Sequence, residues 1–408
     1  MTAPVSWGRF DDLVTGSSWR FPDIAYDVAA SRPEQVRDVL REVEFATTRG
    51  WWAFGFVSYE AAPGLDPALT TREPVEGLPL AWFGICREPR STPALVGAVP
   101  AISGLGDWVC HWPDEHHRRQ VERVRREIAA GETYQCNLTT RLTADFRGRP
   151  EDLYIGLALA QGGSYNACID TGRFVIASAS PELFFETVGA DLWMRPMKGT
   201  APRGRTAAED AAIVARLRAS EKERAENIMI VDLVRNDVAK LAVTGGVSVR
   251  SLFQAERYET VHQLTSEVTA RLRPGIGLPE IFGALFPCGS VTGAPKARTM
   301  RLIRDVEDEP RGVYCGAIGM VAPPGAPFGA RFGVAIRTVV IDRNHDTATY
   351  GTGGGITWSS DPAAEYAELQ AKTALLTRLN TGGGHRRWHR AAGRSPAVVG
   401  PGGFQDAS

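Results

Sequence analysis

Paired cysteines are missing from this sequence. The six present, Cys86, Cys110, Cys136, Cys168, Cys288 and Cys315, stand singly, and no two share a C-x-x-C spacing. That excludes a thiolate zinc site and a disulfide framework, and leaves buried, reduced thiols as the expectation. Neither sign of charge is in excess: 46 Lys and Arg against 47 Asp and Glu leave a net charge of −1. Nothing electrostatic therefore favours nucleic acid or an anionic membrane as the main partner. No apolar run approaches the roughly 20 residues that span a bilayer. The opening MTAPVSWGRFDD carries no basic segment followed by an apolar core, so no secretory signal is expected and the location implied is cytoplasmic. A nucleotide loop is lacking too. Gly289–Arg298, GSVTGAPKAR, has no Ser or Thr after its lysine, and Gly351–Ile356, GTGGGI, lacks G-x-G-x-x-G spacing. Both can still present backbone N–H groups to an anion such as a carboxylate.

What is there is a chain of 408 residues, enough for one large core or two ordinary ones. Trp51–Tyr59 reads as a buried strand, and the Pro/Gly-rich stretch 87–108 as a connection. Val121, Val124 and Ile128 form a helical stripe within 114–130. Short β-like runs follow at 164–170, 173–178, 183–187 and 191–195, with turn signals that suggest antiparallel neighbours. A long helical region is predicted over 207–241 and another helix after Pro279, then strands over 331–341 and 347–350 leading into the glycine-rich loop. Asp361-Pro362 starts a last helix, Asp as cap and Pro at the first helical position. Beyond about residue 380, Gly, Pro, Arg and Ser bias without periodicity predicts a disordered tail. No internal repeat is visible. The class is α+β, with residues 1–110 as the N-terminal part of the fold, 111–379 as the catalytic domain and 380–408 as tail.

Two segments concentrate acids. Glu223 and Glu226 are three apart at the head of a helix whose later turns are apolar; they read either as a solvated helix start or as a pair needing a cation. Glu365, Glu368 and Lys372 share one face of the last helix, which fits either surface i,i+4 pairing or oxygen ligands for Mg²⁺. A third segment, Met194–Gly204 (MRPMKGTAPRG), places Lys198 in a Gly-Thr turn, where a lysine is ordinarily a solvated charge.

SASPELFF, MRPMKGTAPRG, EKERAENIMIVDLVRND, FPCGSVTGAPKARTM, YCGAIG, AIRT and GTGGGITWSSDPAAEYAE occur in one order. Together they strongly resemble the chorismate-utilising enzymes, the family of anthranilate synthase component I, aminodeoxychorismate synthase component I, isochorismate synthase and salicylate synthase. The likeness covers about residues 115–378, and GFVSYEAAPGLDPAL (Gly55–Leu69) extends it into the first lobe. It implies a two-lobed fold of antiparallel sheets packed face to face with helices outside. Chorismate would sit in the cleft.

By that resemblance Glu226 and Glu368 match the carboxylates that hold Mg²⁺, with Glu223 supporting them. Tyr314 and Arg337 match contacts to the enolpyruvyl carboxylate. Gly353 and Gly355 would bring amides, and Lys372 a charge, to a carboxylate. Ser290 matches a hydroxyl beside the ring, His262 in VHQLTSEV the active-site histidine, and Glu182 the general acid near the C4 hydroxyl. Within the family a lysine after the Pro-Met pair resembles the aminodeoxychorismate synthase version of PIKGT, whereas anthranilate-forming members carry alanine. Met197 for Ile is a volume-conserving change. The resemblance thus implies amination of chorismate to 4-amino-4-deoxychorismate, for 4-aminobenzoate and folate or a specialised metabolite. Lys198 would be the nucleophile, and ammonia would come from a separate glutaminase subunit in a heterodimer. Such a lysine needs a free amine, which desolvation and cations such as Arg195 or Arg203 would favour. The alternatives are an anthranilate or isochorismate synthase, or a non-catalytic chorismate-binding relative.

Overall fold

Among the described residues the strands form two antiparallel sheets of ten each, whose central strands, such as Trp52–Val57 and Phe174–Ser180, are buried on both faces. The computed structural model describes residues 6–258 and 261–379; the predicted tail from residue 380 lies outside them. In the first sheet, Gln135–Asp145 pairs with Thr347–Ile356, followed by Thr338–Asp342, Phe174–Ser180, Tyr165–Asp170, Trp7–Asp12 and Ser17–Phe21. In the second, Met197–Pro202 pairs with Val261–Leu272, followed by Asp191–Arg195, Leu183–Val188, Ala330–Val334, Ala317–Val321, Trp52–Val57 and Ala81–Cys86. The first hundred residues thus extend both sheets.

The sheets face each other through one shared core. Phe10, Phe21 and Ile176 of the first meet Phe54, Phe56, Trp82 and Ile318 of the second. The outer face of the first sheet is covered by helices Asp114–Ala129, Pro150–Gln161 and Pro362–Leu379, that of the second by Val36–Thr48, Glu221–Ala239 and Leu278–Leu285. Burial of three such apolar layers is the main stabilising term. All six cysteines are free and buried, as expected of single thiols. Among the described residues no helix is long and apolar enough to cross a membrane.

Three boundaries differ from the sequence reading. The helical region predicted over 207–241 is two helices, Ala207–Ala219 and Glu221–Ala239, because Ser220 leaves helical geometry and its hydroxyl accepts the Glu223 N–H (3.3 Å) to cap the second. The strand predicted over 331–341 is also two. It breaks at Arg337, whose φ of 52° is rare for a residue with a side chain, and the chain there passes from the second sheet to the first. GTGGGI is strand rather than loop: Thr347–Ile356 stays in register with Gln135–Asp145 throughout, from Thr347↔Asp145 to Ile356↔Cys136.

Candidate active site

A cleft of about 610 Å³ opens where the two sheets diverge, walled by the glycine strand on one side and Met197–Pro202 on the other. Lys198 reaches it through a bulge. Met197 pairs with Thr265 and Thr200 with Gln263, so three steps on one strand match two on its partner. The extra residue re-aims the side chains, and Gly199, at φ 87°, takes the left-handed conformation this requires. The Lys198 carbonyl accepts from Asn227 Nδ2 (3.3 Å), and Asn227 Oδ1 accepts from Ser266 (2.5 Å), which ties the bulge to the acidic helix. Lys198 is half-buried and lines the cleft. A Cβ on Gly355 would stand 3.1 Å from its Nζ and 2.8 Å from Gln135 Nε2, so a side chain there would push both groups aside.

Glu182 lies at the buried end, 3% exposed, with Oε1 lacking a hydrogen-bond partner. Burial pushes its carboxyl up to about 7, against the Ser290 hydroxyl, the Lys198 charge and the Met197 N–H, all of which favour the carboxylate. Ser290 is buried on the Gly289–Val291 turn. Four further acids converge from two helices: Glu223 and Glu226 from one, Glu365 and Glu368 from the other. Burial first, and mutual repulsion after it, raises Glu223, Glu226 and Glu365 above the ordinary carboxylate range. Glu368, at the rim, is lowered by the Lys372 ammonium 2.9 Å away.

The donor set is all oxygen, which suits a hard divalent cation such as Mg²⁺. Among the described residues no three His, Cys, Asp or Glu side chains already form a closed cage. That too is compatible with Mg²⁺, which commonly takes one or two protein carboxylates and fills its shell with water and substrate oxygens.

The side of the cleft that carries Arg337 is built by the sheet switch. Arg337, carried inward by its left-handed backbone, donates from Nη1 to Gln161 Oε1 and lines the cleft; burial lowers it from the usual arginine value. The Tyr314 ring lies against Gly351, and burial holds its phenol well above the ordinary range. On the glycine strand Thr338–Asp342 reaches only Thr347–Tyr350, so from Gly351 onward that strand is laddered on one side. Its other edge has no strand partner where Gly353 and Gly355 line the cleft. Lys372 Nζ donates to the Gly353 carbonyl (2.8 Å) as well as pairing with Glu368, so the surface i,i+4 pair foreseen as an alternative is formed.

Of the twelve residues singled out from the sequence, eleven line this cleft. His262 does not. Its neighbours Val261 and Gln263 do, and the period of two turns His262 to the other face, where Nε2 meets Asp210 (2.8 Å) in a cluster with Arg203. Arg203 holds Asp210 well below the usual carboxylate range. Arg203 and Arg195 are likewise engaged elsewhere, Arg195 with Tyr165 and Glu256, and the Lys198 charge acts on the carboxylates of Glu182 and Glu226. Three polar residues went unforeseen. Gln263 lines the cleft, as does Lys222, 3.9 Å from Glu226. Gln135 packs beside Gly355 with both amide atoms unpartnered. Strand alternation from Val261 was the signal for Gln263; Gln135 had none, because its strand was not read.

The family model described as chorismate binding enzyme matches residues 99–378. The chain belongs to the chorismate-binding enzyme family. Within that family it is 45% identical over 263 residues to an aminodeoxychorismate synthase of Streptomyces pristinaespiralis, covering 64% of this chain and 36% of that protein. It is 40% identical over 288 residues to anthranilate synthase component 1 of Streptomyces coelicolor, covering 70% and 55%. The chain therefore spans about a third to just over half of the length of these relatives. Among solved structures, anthranilate synthase component I from Streptococcus pneumoniae superposes with a TM-score of 0.72 at 26% identity, over 90% of this chain and 89% of that one. A Bacillus anthracis isochorismate synthase shares the fold at a TM-score of 0.73 and 20% identity, over 92% and 96%.

Proposed function

We propose that this chorismate-binding enzyme is the aminating component of an aminodeoxychorismate synthase, converting chorismate and ammonia to 4-amino-4-deoxychorismate and water. The observation that carries the reading is Lys198, turned by its bulge into a cleft that also holds a buried acid, Glu182, pushed up to about 7. In the first step the Nζ lone pair bonds to C2, the ring double bonds shift, and the C4–O bond breaks. Glu182 gives its proton to the departing oxygen, which leaves as water. In the second, ammonia bonds to C4, the double bonds shift back, the C2–N bond breaks and Nζ is released. The proton shed by the new ammonium restores Glu182. Two modest steps replace one hard substitution.

Arg337 and the unladdered edge of the glycine strand are suited to hold the substrate's carboxylates. Glu223, Glu226, Glu365 and Glu368 would hold Mg²⁺, with Lys222 and Lys372 giving up Glu226 and Glu368 to it. When bound, the ion supplies positive charge that lets a carboxylate substrate approach these acids. Ammonia would come from a separate glutaminase subunit.

The test is incubation with chorismate, Mg²⁺ and an ammonium salt, followed by mass analysis. Aminodeoxychorismate is the expected product. Fluorescent anthranilate in its place would reassign the chain to the second reading, anthranilate synthase component I, which the Streptomyces coelicolor and Streptococcus pneumoniae relatives favour.

A further inference from the structure

The segment Gly55–Leu69 of the first lobe contributes nothing to the cleft, yet it carries a buried acid. Glu60, 2% exposed, follows the strand Trp52–Val57 and turns back under the loop at 311–314. Its Oε1 accepts the Arg311 N–H (2.7 Å) and its Oε2 the Gly312 N–H (2.9 Å), while the Tyr59 N–H bonds the Gly312 carbonyl (2.8 Å). The loop is thus held by its backbone from below.

Arg311, held in this way, reaches in the other direction. Its guanidinium is buried, 4.5 Å from the centre of the Tyr59 ring, and donates to both oxygens of Glu307 (2.9 and 2.6 Å). Two further N–H groups go to the backbone carbonyls of Val291 (2.7 Å) and Asn137 (2.7 Å). Glu307 adds a second tie to the same strand, accepting the N–H and hydroxyl of Thr139 (both 2.9 Å). Asn137 is the register partner of Gly355, against which Lys198 and Gln135 pack. Val291 follows Ser290, the hydroxyl beside Glu182. Tyr314, three residues after Arg311, covers Gly351. Three separate stretches of cleft wall therefore meet at one buried cation.

We propose that Glu60 and Arg311 are positioning residues: through Asn137, Val291 and the 311–314 loop they set the wall against which Lys198 and Glu182 act. Neither side chain lines the cleft itself. A planar fork is what the arrangement requires, because one group must serve a carboxylate and two carbonyls in fixed directions; a lysine ammonium has the charge but not the geometry. The segments it ties carry the surroundings of the reacting groups, whereas Arg337 and the acidic helices stand on other elements. The effect should therefore fall on kcat more than on KM.

This inference rests on the cleft being catalytic but not on which product leaves it, so the rate measured is chorismate consumption with Mg²⁺ and ammonium salt. Product identity reports separately on the amination reading. Arg311→Lys and Glu60→Gln are compared with the parent chain, with the folded fraction at the assay temperature taken from circular dichroism. Arg311→Lys is expected to lose about tenfold or more in kcat and Glu60→Gln about threefold or more, each with a smaller change in the KM for chorismate. If one variant does not fold, the other carries the test. Parent-like kcat in a folded variant, or a loss that only follows the unfolded fraction, overturns the proposal.

Discussion

The cleft holds glutamates tuned in opposite directions. Glu182 is buried with an unpartnered oxygen, and the loss of water raises its carboxyl to about 7. Glu368 stands at the rim beside Lys372 and is lowered. The same side chain is thus prepared as a proton donor in one place and as a fixed negative charge in the other. Environments that push like groups apart in this way assign acid and charge-binding roles without reference to sequence position.

Removing the proton donor should have the largest effect on this contrast. Glu182→Gln keeps the shape and removes the acid, so kcat should fall by about 10²–10⁴-fold, the usual share of general acid catalysis. The pH profile sharpens the point. A carboxyl raised to about 7 keeps its proton below that pH and loses it above. Activity that needs the proton should fall about tenfold per unit on the alkaline side, and Glu182→Gln should lack that limb. At the other end of the contrast, Glu368→Gln should leave the alkaline limb in place. It should raise the Mg²⁺ concentration for half-maximal activity, by about tenfold if the lost carboxylate contributed about 1.4 kcal/mol. A Mg²⁺ titration of the rate reads this directly.

Smaller still is Gly355→Ala. The added methyl meets the movable ends of Lys198 and Gln135 rather than backbone, so the fold should persist while kcat falls by about an order of magnitude. The smallest effect on turnover is expected from His262→Asn. Its bond to Asp210 faces away from the cleft, so thermal unfolding should register a small loss of stability while kcat stays within about twofold.

Seven ordered motifs made the family, the two-sheet class and most of the cleft legible in the sequence, since they carry the polar residues that the fold brings together. The errors have local physical causes. His262 and Gln263 are adjacent, and only strand register decides which faces inward; the lone histidine drew attention that alternation would have given to its neighbour. GTGGGI looked like a loop because glycine is a poor strand former, but pairing with Gln135–Asp145 overrides that preference. Arg195 and Arg203 lie near Lys198 in sequence, yet the bulge and the turn after Pro202 carry them to Tyr165, Glu256 and Asp210. The acids at 223 and 226 read correctly as a helix head, but the Ser220 hydroxyl that caps it was passed over.

The central claim is that Lys198 is the nucleophile, and Lys198→Ala tests it most directly. The variant, given chorismate, Mg²⁺ and ammonium salt, is followed by mass analysis of both products and enzyme. The account predicts that aminodeoxychorismate formation falls by at least about a hundredfold or gives way to another product, and that any substrate-sized adduct on the parent chain is absent from the variant. Aminodeoxychorismate formed at the parental rate by folded Lys198→Ala would contradict it.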